Sequence, residues 1–594
     1  MKTQEKIQAL RQLMADKEIA ALVIPSADPH QSEYVPEHWQ ARAWVSGFSG
    51  SAGTAVITRD KALVWTDFRY WIQAETQMGD SEFELVRSGD TDVVNFDQWL
   101  ADTLAPGAVI SISGELISTS QVKALKKKWN PRELILETQW DLVADIWKDR
   151  PPMPCSKAFD FSCDYAGEDR KKKLSRIREA MAKKGADFYL ITALEDIAWL
   201  FNLRGRDVET NPVNLAFALV GKKEAHLFIQ GEKMGGELGA LLKQDGVDCE
   251  PYDGLLAALG ELPEKAGVLL DPMGVNWNLS NAVPDHCRII EVKNGPATEF
   301  KALKNNVEIA HLRETAVKDG VAMVNFLHWL ETAVAQGERV TEIQAAERVK
   351  AFRREQEGFV DNSFDSIMAH GAHSAMCHYS PTPETEAVIG ADSLFLNDSG
   401  GNYLTGTTDI TRTLSFGEPT SAQKRDYSLV LKGHIALSCA HFPVGTRGVQ
   451  LDTLARQPLW QAGMDFGHGT GHGIGFFLCV HEGPARISPH PVDVALKPGM
   501  LLSNEPGVYR EGEYGIRLEN MILVREENET LFGRFLGFEN LTLCHFERGL
   551  MDLELLDGGE IEWINAYHHR VWKQLSPRLT GEIRDWLREK TRPL

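Results

Sequence analysis

Two stretches of the chain share one hydrophobic pattern, an amphipathic helix that runs into an apolar strand. From Leu10 to Ile24, apolar positions first recur at helical spacing and then follow one another without interruption. The stretch from Ile177 to Ile191 has the same order, with identities at Arg, Met, Ala, Lys and the final Ile. Five identities are weak support alone, so the following segments decide whether this is a repeat.

In both copies the helix and strand precede a glycine-bearing loop and then two further β-rich stretches. These stretches are residues 54–57 and 62–65 in the first copy, and residues 216–220 and 225–229 in the second. The shared order predicts two related α/β domains.

Clustered prolines and a change in composition mark the predicted domain boundaries. The run Pro151–Pro154 excludes regular structure and stiffens a connection. After Gly295 and Pro296, residues 308–336 predict a long helix, and the chain becomes rich in histidine, glycine and acids. We therefore expect domains at residues 1–152, 153–303 and 304–594, with the chemistry in the third.

Two predicted hairpins in the third domain carry pairs of acids. In the first, residues 393–398 form a strand, residues 400–402 a turn and residues 404–415 the return strand. Asp398 and Asp409 are equidistant from Tyr403 and Leu404, so they are predicted to face each other across the strand pair.

The second hairpin consists of residues 500–505, a turn at residues 509–515 and a return at residues 516–519. Glu505 and Glu519 are equidistant from Gly512. Pro506 and Gly507 interrupt the first strand and could add a bulge.

Opposed acids are destabilising unless they are neutralised, and two explanations remain open. Carboxylates are hard oxygen ligands, so two divalent cations would balance four of them. Alternatively, each acid lies on the surface or pairs with Arg412 or Arg517.

Histidines accompany the acids and favour a site. The segment Gly467–Gly475 contains His468 and His472, His481 follows, and His378 lies before the first hairpin. This glycine-rich stretch lacks the lysine of a phosphate-binding loop and the spacing of a dinucleotide fingerprint. Four histidines and four paired acids together predict a metal or catalytic site.

Composition and charge narrow the possible partners and location. The 594 residues are 43% hydrophobic and 25% charged, which is typical of a globular protein of several domains. A formal charge of −21 argues against nucleic acid and anionic membrane surfaces. The N-terminus has no secretory or transit pattern and no apolar run approaches about 20 residues. Eight scattered cysteines are expected to be buried, reduced thiols, so we expect a cytoplasmic protein.

The ordered motifs around these residues resemble those of the pita-bread metallopeptidases, most closely the long three-domain cytosolic form of the Xaa-Pro aminopeptidases (aminopeptidase P). The resemblance covers nearly the whole chain. Its motifs are Asp398–Gly400, Thr408–Thr413, Gly469–His472, Asn504–Gly507 and Arg517–Asn520, with His30–Tyr34, Ser46–Gly53, Asn202–Gly205 and Asp585–Glu589 outside the site.

The resemblance implies a mixed α/β (α+β) fold with three parts. Residues 1–152 and 153–303 would be two related creatinase-like N-terminal α/β domains. Residues 304–594 would be a pita-bread catalytic domain with a C-terminal extension.

The resemblance also implies a ligand set for two divalent metal ions. Asp409 and Glu519 would bridge the ions, Asp398 would complete one shell, and His472 and Glu505 the other. Manganese is the first expectation from the family, and the sequence leaves cobalt and zinc open.

The activity that the resemblance implies is hydrolysis of an N-terminal Xaa-Pro bond by a hydroxide that bridges the two metals. Glu505 would act as proton shuttle, His378 and His481 would stabilise the intermediate and the proline-side carbonyl, and His468 would shape the proline pocket. The partners would be peptides with proline at the second position and a second copy of the chain, forming a homodimer through the C-terminal domain.

Other members of the superfamily fit less well. Prolidase uses similar ligands on dipeptides but lacks a second α/β domain of this kind, and methionine aminopeptidases lack both N-terminal domains. Creatinase shares the fold without the metal ligands, all of which are present here. A metal-free binding module for basic partners is the alternative from another class.

Overall fold

Residues 1–150 alternate short strands and helices, as the hydrophobic pattern predicts. The computed structural model describes residues 1–594. The elements of this region are α1 (Thr3–Asp16), β1 (Ile19–Pro25), α2 (Ala41–Ser46), β2 (Thr54–Thr58), β3 (Ala62–Thr66), α3 (Trp71–Met78), β4 (Glu84–Arg87), α4 (Phe96–Thr103), β5 (Val109–Ser111), α5 (Thr119–Trp129), β6 (Ile135–Glu137) and α6 (Leu142–Ile146).

The following region repeats this alternation, and the predicted second helix and strand are present as α8 and β8. Its elements are β7 (Phe159–Asp160), α7 (Cys163–Ala166), α8 (Arg170–Lys184), β8 (Phe188–Ile191), α9 (Leu194–Leu200), β9 (Leu203–Arg204), β10 (Ala216–Gly221), β11 (Ala225–Ile229), α10 (Gly236–Gln244), β12 (Asp248–Glu250), α11 (Leu255–Gly260), β13 (Gly267–Leu270), α12 (Trp277–Ala282), β14 (Arg288–Glu291) and α13 (Pro296–Lys301).

The two regions have the same sheet topology, which confirms the predicted structural repeat. The strand orders are β4-β3-β2-β1-β5-β6 and β12-β11-β10-β8-β13-β14. In both sheets, counted in the order given, the second and third strand pairs are antiparallel and the other three pairs are parallel. Because strand order and strand directions agree, the chain follows the same path through both sheets.

The rest of the chain begins with a long helix. The helix predicted at residues 308–336 is present and spans residues 306–335. The elements are α14 (Asn306–Ala335), α15 (Glu342–Arg354), β15 (Phe359–Asn362), β16 (Ile367–His370), β17 (Leu394–Ser399), β18 (Gly401–Tyr403), β19 (Gly406–Thr407), β20 (Ile410–Ser415), α16 (Ser421–Ser438), β21 (Phe442–Pro443), α17 (Gly448–Gln461), β22 (Gly471–Gly473), β23 (Glu482–Ile487), β24 (Leu501–Asn504), β25 (Gly507–Arg510), β26 (Tyr514–Arg517), β27 (Asn520–Thr530), β28 (Gly533–Asn540), α18 (Gly558–Leu575) and α19 (Gly581–Lys590).

Three sheets of this region carry the predicted site residues. Their strand orders are β16-β17-β20, β21-β28-β27-β24-β22-β23 and β25-β26. Apolar side chains of α14, including Met323, Phe326 and Leu330, are fully buried in a core that also contains Phe395 of β17. The strands that carry polar site residues are therefore anchored by side chains of the opposite face.

Contacts divide the chain into two compact units. Unit 1 comprises Met1–Phe161, Glu168–Glu209 and Val213–Ala297, and unit 2 comprises Ser162–Gly167, Thr210–Pro212 and Thr298–Leu594. Unit 1 contains both repeated sheets, and unit 2 contains every predicted metal ligand. The two predicted domain boundaries, after residues 152 and 303, stay a prediction.

The register predicted for the first acidic hairpin is wrong by two residues. Asp398 lies opposite Thr411, not Asp409. The turn consists of Leu404 and Thr405, because Tyr403 pairs with Gly406 on either side of them. The glycines at 400 and 401 form no turn, and a Cβ at Gly400 would lie 2.1 Å from the carbonyl oxygen of Thr408. Asp409 is consequently a diagonal neighbour of Asp398.

The register predicted for the second hairpin is confirmed. Asn504 pairs with Asn520 on one side of the acids, and Gly507 pairs with Arg517 on the other. Both pairs are centred on Gly512, so Pro506 divides the strand into β24 and β25 without a shift of register. Glu505 and Glu519 therefore lie opposite each other.

Two smaller expectations are also tested by the structure. None of the helices combines the length and apolar character that crossing a membrane requires. The cysteines form no disulfide, but Cys155, Cys163, Cys249 and Cys439 are exposed, so the expectation of burial is wrong for them. Only Cys377, Cys479 and Cys544 are fully buried.

Candidate metal centre

The five predicted metal ligands lie at the ends or edges of strands in unit 2. Asp398 is on β17, Asp409 precedes β20, and His472 is the central residue of β22. Glu505 follows β24, and Glu519 is the second residue of the two-residue link between β26 and β27. Strand ends from different sheets therefore bring together residues that are far apart in sequence.

Asp409, His472 and Glu519 form the centre of this arrangement. One ligand atom from each residue lies within 4.8 Å of the others, which is close enough to hold a metal ion. His472 Nε2 is 3.4 Å from Asp409 Oδ2 and 3.4 Å from Glu505 Oε1. Glu505 therefore belongs to the same cluster.

The backbone around His472 fixes which ring nitrogen faces the acids. The Nδ1 atom is 2.9 Å from the carbonyl oxygen of Gly473, which can only accept a hydrogen bond. Nδ1 therefore carries a proton, and Nε2, which faces Asp409 and Glu505, is the ring nitrogen available to a metal ion. Histidine ligands of metals are commonly oriented by such a bond to a backbone carbonyl.

Two carboxylates of the site have one oxygen held and the other without a hydrogen bond. Thr411 Oγ1 donates to Glu519 Oε2 over 2.8 Å, while the buried Oε1 accepts none. Arg517 donates to Asp398 Oδ2, while the buried Oδ1 accepts none. A buried carboxylate oxygen without a donor is costly. Divalent cations would satisfy these oxygens, so the residues fit the kind of metal centre that the resemblance implies.

The acids also disfavour one another's ionisation. Burial, and then the charges of Asp409, Glu505 and Asp398, raise the pKa of Glu519 well above its ordinary value. Burial raises the pKa of Glu505 to about 7, with Asp409 adding to the effect. The pKa of Asp398 is raised by burial and by Asp409, although Arg517 opposes this. Compensating positive charge is what this cluster requires to ionise fully.

The pKa of His472 moves in the opposite direction to that expected from burial. Burial alone would lower it, but the hydrogen bond to Asp409 and the charges of Glu505 and Asp409 raise the pKa to about 9. The imidazole is thus the one side chain of the cluster that balances the acids by holding a proton.

A network that the sequence did not reveal connects Asp398 to His468. Arg517 donates to Asp398 and, through Nη1, to the hydroxyl of Tyr509 over 2.7 Å. That hydroxyl is 2.8 Å from His468 Nε2. Tyr509 and Arg517 lie on β25 and β26 of the confirmed hairpin, and its alternation could have placed them on one face.

The predicted auxiliary histidines surround this centre. The ring of His481 meets that of His472 edge-on, with centroids 4.3 Å apart. His378 follows Cys377, whose carbonyl oxygen accepts a hydrogen bond of 3.4 Å from Arg517. The structure thus places His378, His468 and His481 beside the predicted ligands or the residues that bind them, while their roles stay predictions.

The structural explanation that the sequence left open holds for one acid only. Asp398 pairs with Arg517. Arg412 is fully buried and donates to the carbonyl oxygens of His545 and Cys544 over 2.9 and 2.7 Å. Its guanidinium therefore neutralises none of the four carboxylates by direct contact.

Four family models match the chain in an order that agrees with this architecture. The metallopeptidase family M24 model matches residues 310–526, and the model of its C-terminal region matches residues 534–594. Two creatinase/prolidase N-terminal domain models match residues 6–139 and 149–308. The fold and the site therefore define a metallopeptidase preceded by two creatinase-type domains.

Similar proteins indicate which kind of metallopeptidase the chain resembles. Aminopeptidase P2 of Arabidopsis thaliana is 40% identical, over 99% of this chain and 88% of the relative. A probable Xaa-Pro aminopeptidase P of Laccaria bicolor is 40% identical, over 100% of this chain and 94% of the relative. A solved structure of similar fold is the X-prolyl aminopeptidase of Caenorhabditis elegans, which is described as a cytosolic enzyme with a di-nuclear active site. It is 34% identical to this chain with a TM-score of 0.96, and the match covers 100% of both chains.

The chain belongs to the aminopeptidase P group of metallopeptidase family M24. The predicted fold class, with two creatinase-like α/β domains and a pita-bread catalytic domain, is confirmed. The predicted class of enzyme, a metal-dependent Xaa-Pro aminopeptidase, is likewise confirmed at the level of the family.

Proposed function

We propose that this chain is a dinuclear-metal aminopeptidase that releases the N-terminal residue of peptides with proline at the second position. The observation that carries the proposal is the cluster of the buried Asp409 and Glu519 with the partly buried His472, whose ligand atoms lie within 4.8 Å of one another. Similarity to aminopeptidase P relatives along nearly the whole chain supports the substrate class.

In this proposal five residues hold two divalent ions. Asp398, Asp409, His472, Glu505 and Glu519 would supply the ligand atoms. Four carboxylates with one imidazole suit a hard or borderline cation. Manganese is therefore the proposed ion, and cobalt and zinc are the competitors to be tested against it.

Glu505 is the proposed proton shuttle of the reaction. When bound, two ions supply Lewis-acid chemistry, because they polarise the scissile carbonyl and lower the pKa of a water molecule. Ser503 Oγ donates to Glu505 Oε1 over 3.1 Å, which leaves Oε2 for a proton from the attacking water. Glu505 then delivers this proton to the proline nitrogen, which leaves as an amine.

Three histidines are proposed to recognise the peptide. The side chains of His378 and His481 donate to the oxygen that develops negative charge and to the proline-side carbonyl. His468, fixed by Tyr509, forms part of the proline pocket. Such a pocket is needed because the bond before proline is a tertiary amide whose nitrogen has no hydrogen to donate.

The proposal is tested with metal-stripped protein, assayed for the released amino acid on Arg-Pro-Pro, Arg-Ala-Ala and Ala-Pro, with and without added manganese, cobalt or zinc. We expect metal-dependent cleavage of Arg-Pro-Pro alone. Asp409→Ala should abolish it. The matched control is Asp493→Ala in unit 2, which should retain full activity. The side chain of Asp493 is 76% exposed.

Other outcomes of this assay would redirect the assignment. Cleavage of Ala-Pro alone would mean a prolidase, and cleavage of Arg-Ala-Ala would mean a general aminopeptidase. A protein that cleaves no peptide with any of the three metals would be a binding module.

Three further properties belong to the same proposal. The domains are residues 1–152, 153–303 and 304–594, and the chain forms a homodimer. The cytoplasm is its proposed location, supported by the description of the Caenorhabditis elegans enzyme as cytosolic. Light scattering of the purified chain measures the oligomeric state directly.

A further inference from the structure

The segment that carries His378 is a loop whose two ends meet at one buried carboxylate. This loop, residues 376–387, follows the 3₁₀ segment Gly371–Ala375. Glu342, the first residue of α15, is completely buried and lies next to both ends. The loop has no regular structure of its own, so its conformation depends on these attachments.

Glu342 accepts hydrogen bonds from four groups. Its Oε2 atom accepts from the hydroxyl of Tyr379 and from the backbone N–H of Ala387, both over 2.8 Å. Its Oε1 atom accepts from the backbone N–H of His370 over 2.7 Å and from Nδ1 of His373 over 2.9 Å. One side chain thus joins the strand before the loop to the start and the end of the loop.

Additional contacts fix the residues on both sides of His378. The ring of Tyr379 stacks on that of His373, with centroids 4.4 Å apart. Ser374 Oγ accepts a hydrogen bond of 2.7 Å from the backbone N–H of Gly515. Cys377 is bound through its carbonyl oxygen to Arg517. His378 is therefore held between a residue bound to the metal-site arginine and a residue bound to Glu342.

We propose that Tyr379, held by Glu342, is a positioning residue that sets the place of His378 in the reaction. This inference rests on the proposed function, which assigns His378 to the peptide. The contacts of the Tyr379 side chain are with Glu342, His373 and Thr385, none of them a proposed metal ligand, so in this proposal Tyr379 acts through its chain neighbour. Burial, and then the charge of Glu342, raise the pKa of Tyr379, so the phenol keeps the proton that it donates.

The test is Tyr379→Phe in the manganese-loaded enzyme with Arg-Pro-Pro as substrate. The variant keeps the ring that stacks on His373 and loses only the hydroxyl. Because small misplacements of a reacting group are costly, kcat should fall about tenfold to a hundredfold while KM and bound manganese stay unchanged. In the His378→Ala background the same substitution should have no further effect on kcat, since the two residues act as one unit.

A matched control separates positioning from loss of a buried hydrogen bond in general. Tyr427 is fully buried in α16, and its hydroxyl accepts a hydrogen bond of 2.8 Å from the backbone N–H of Glu547. Tyr427→Phe should leave kcat unchanged. Equal losses in Tyr427→Phe and Tyr379→Phe, an unchanged kcat in Tyr379→Phe, or a full additional loss in the His378→Ala background would each overturn the inference. Failure of the proposed function would appear separately, as an unsubstituted enzyme without activity on Arg-Pro-Pro.

Discussion

At the scale of single residues, the metal centre is characterised by carboxylate oxygens that lack hydrogen-bond donors. Glu519 Oε1 and Asp398 Oδ1 are buried without a hydrogen-bond donor, while their partner oxygens are held by Thr411 and Arg517. Orientation is thus supplied by the protein, and the negative charge that Arg517 and His472 do not compensate is left to the ions. This division makes stability depend on both metal and pH.

Metal-free protein should lose stability as pH rises. Glu505 has a pKa of about 7 in the metal-free fold, above its ordinary value of 4.5, so the folded state binds a proton that the unfolded state releases. The stability this contributes is fully present below about pH 4.5 and is lost as pH rises through 7. Thermal unfolding between pH 5 and pH 8 should show a midpoint that falls by a few degrees.

Manganese-loaded protein and metal-free Glu505→Gln should both show a smaller fall than the metal-free parent. Metal replaces the proton in the first case, and the titrating group is absent in the second. Identical slopes in all three samples would contradict the assignment of Glu505 to the metal centre.

Thr411→Val should weaken metal binding without removing a ligand. The substitution preserves shape but deletes the hydroxyl that donates to Glu519 Oε2 over 2.8 Å. Loss of such an orienting bond typically costs 10–100-fold in metal affinity or activity, and we expect about this loss. Manganese titration of the stripped enzyme measures it. Thr332→Val, which deletes a hydroxyl bound to the His328 carbonyl in α14, should bind manganese like the parent.

At the scale of elements, the two hairpins show what sequence symmetry can predict. The position of Glu505 opposite Glu519 follows from the centre at Gly512, because the flanking pairs keep one register across Pro506. The first hairpin has a different register because Gly400 and Gly401, a turn signal in the sequence, do not form its turn. Gly400 instead permits the close approach of Thr408 and Ser363, a demand of tertiary packing that the local sequence does not express.

The strand that carries His472 requires glycine at one position and tolerates alanine nearby. A Cβ at Gly471 would lie 2.0 Å from the carbonyl oxygen of Ser503 on the neighbouring strand β24. Gly471→Ala should therefore displace His472 and lower both bound metal and kcat at least tenfold. At Gly469 the nearest atom to an added Cβ is 3.4 Å away, so Gly469→Ala should bind metal like the parent. Elemental analysis measures the metal content of both variants, and a normal metal content in Gly471→Ala would refute the prediction.

At the scale of the whole molecule, the chain consists of a repeat and a unit that contains the site. The repeat was predicted from five identities and the order of strands, and the two sheets match in strand order and direction. The Tyr509–Arg517–Asp398 network and the anchor at Glu342 were not predicted. Tyr509 and Arg517 share a face of one hairpin, but the contact of Arg517 with Asp398 and that of Glu342 with Tyr379 join segments whose proximity depends on tertiary packing, which no sequence spacing expresses.

The buried ion pair of Asp207 and Lys233 should be essential to unit 1 and irrelevant to metal binding. The atoms are 2.6 Å apart, and both side chains are completely buried. Asp207→Ala would leave the lysine charge uncompensated, so the free energy of unfolding should fall by about 3–5 kcal/mol. Chemical denaturation measures this loss. Glu84→Ala breaks an exposed pair with Lys61 and should cost less than about 1 kcal/mol.

Metal content provides the contrasting readout for that variant. All five proposed ligands belong to unit 2, so folded Asp207→Ala should contain as much manganese per chain as the parent. A parallel loss of manganese under conditions where the variant is folded would be inconsistent with this division.

The distribution of the cluster along the chain also has a consequence for biosynthesis. Asp409 and His472 leave the ribosome before Glu519, and β27, which holds Glu519 beside them, begins only at Asn520. A nascent chain therefore cannot complete the centre until translation has passed Asn520. Metal acquisition is then a late step of maturation, governed by the ion supply that the finished polypeptide meets.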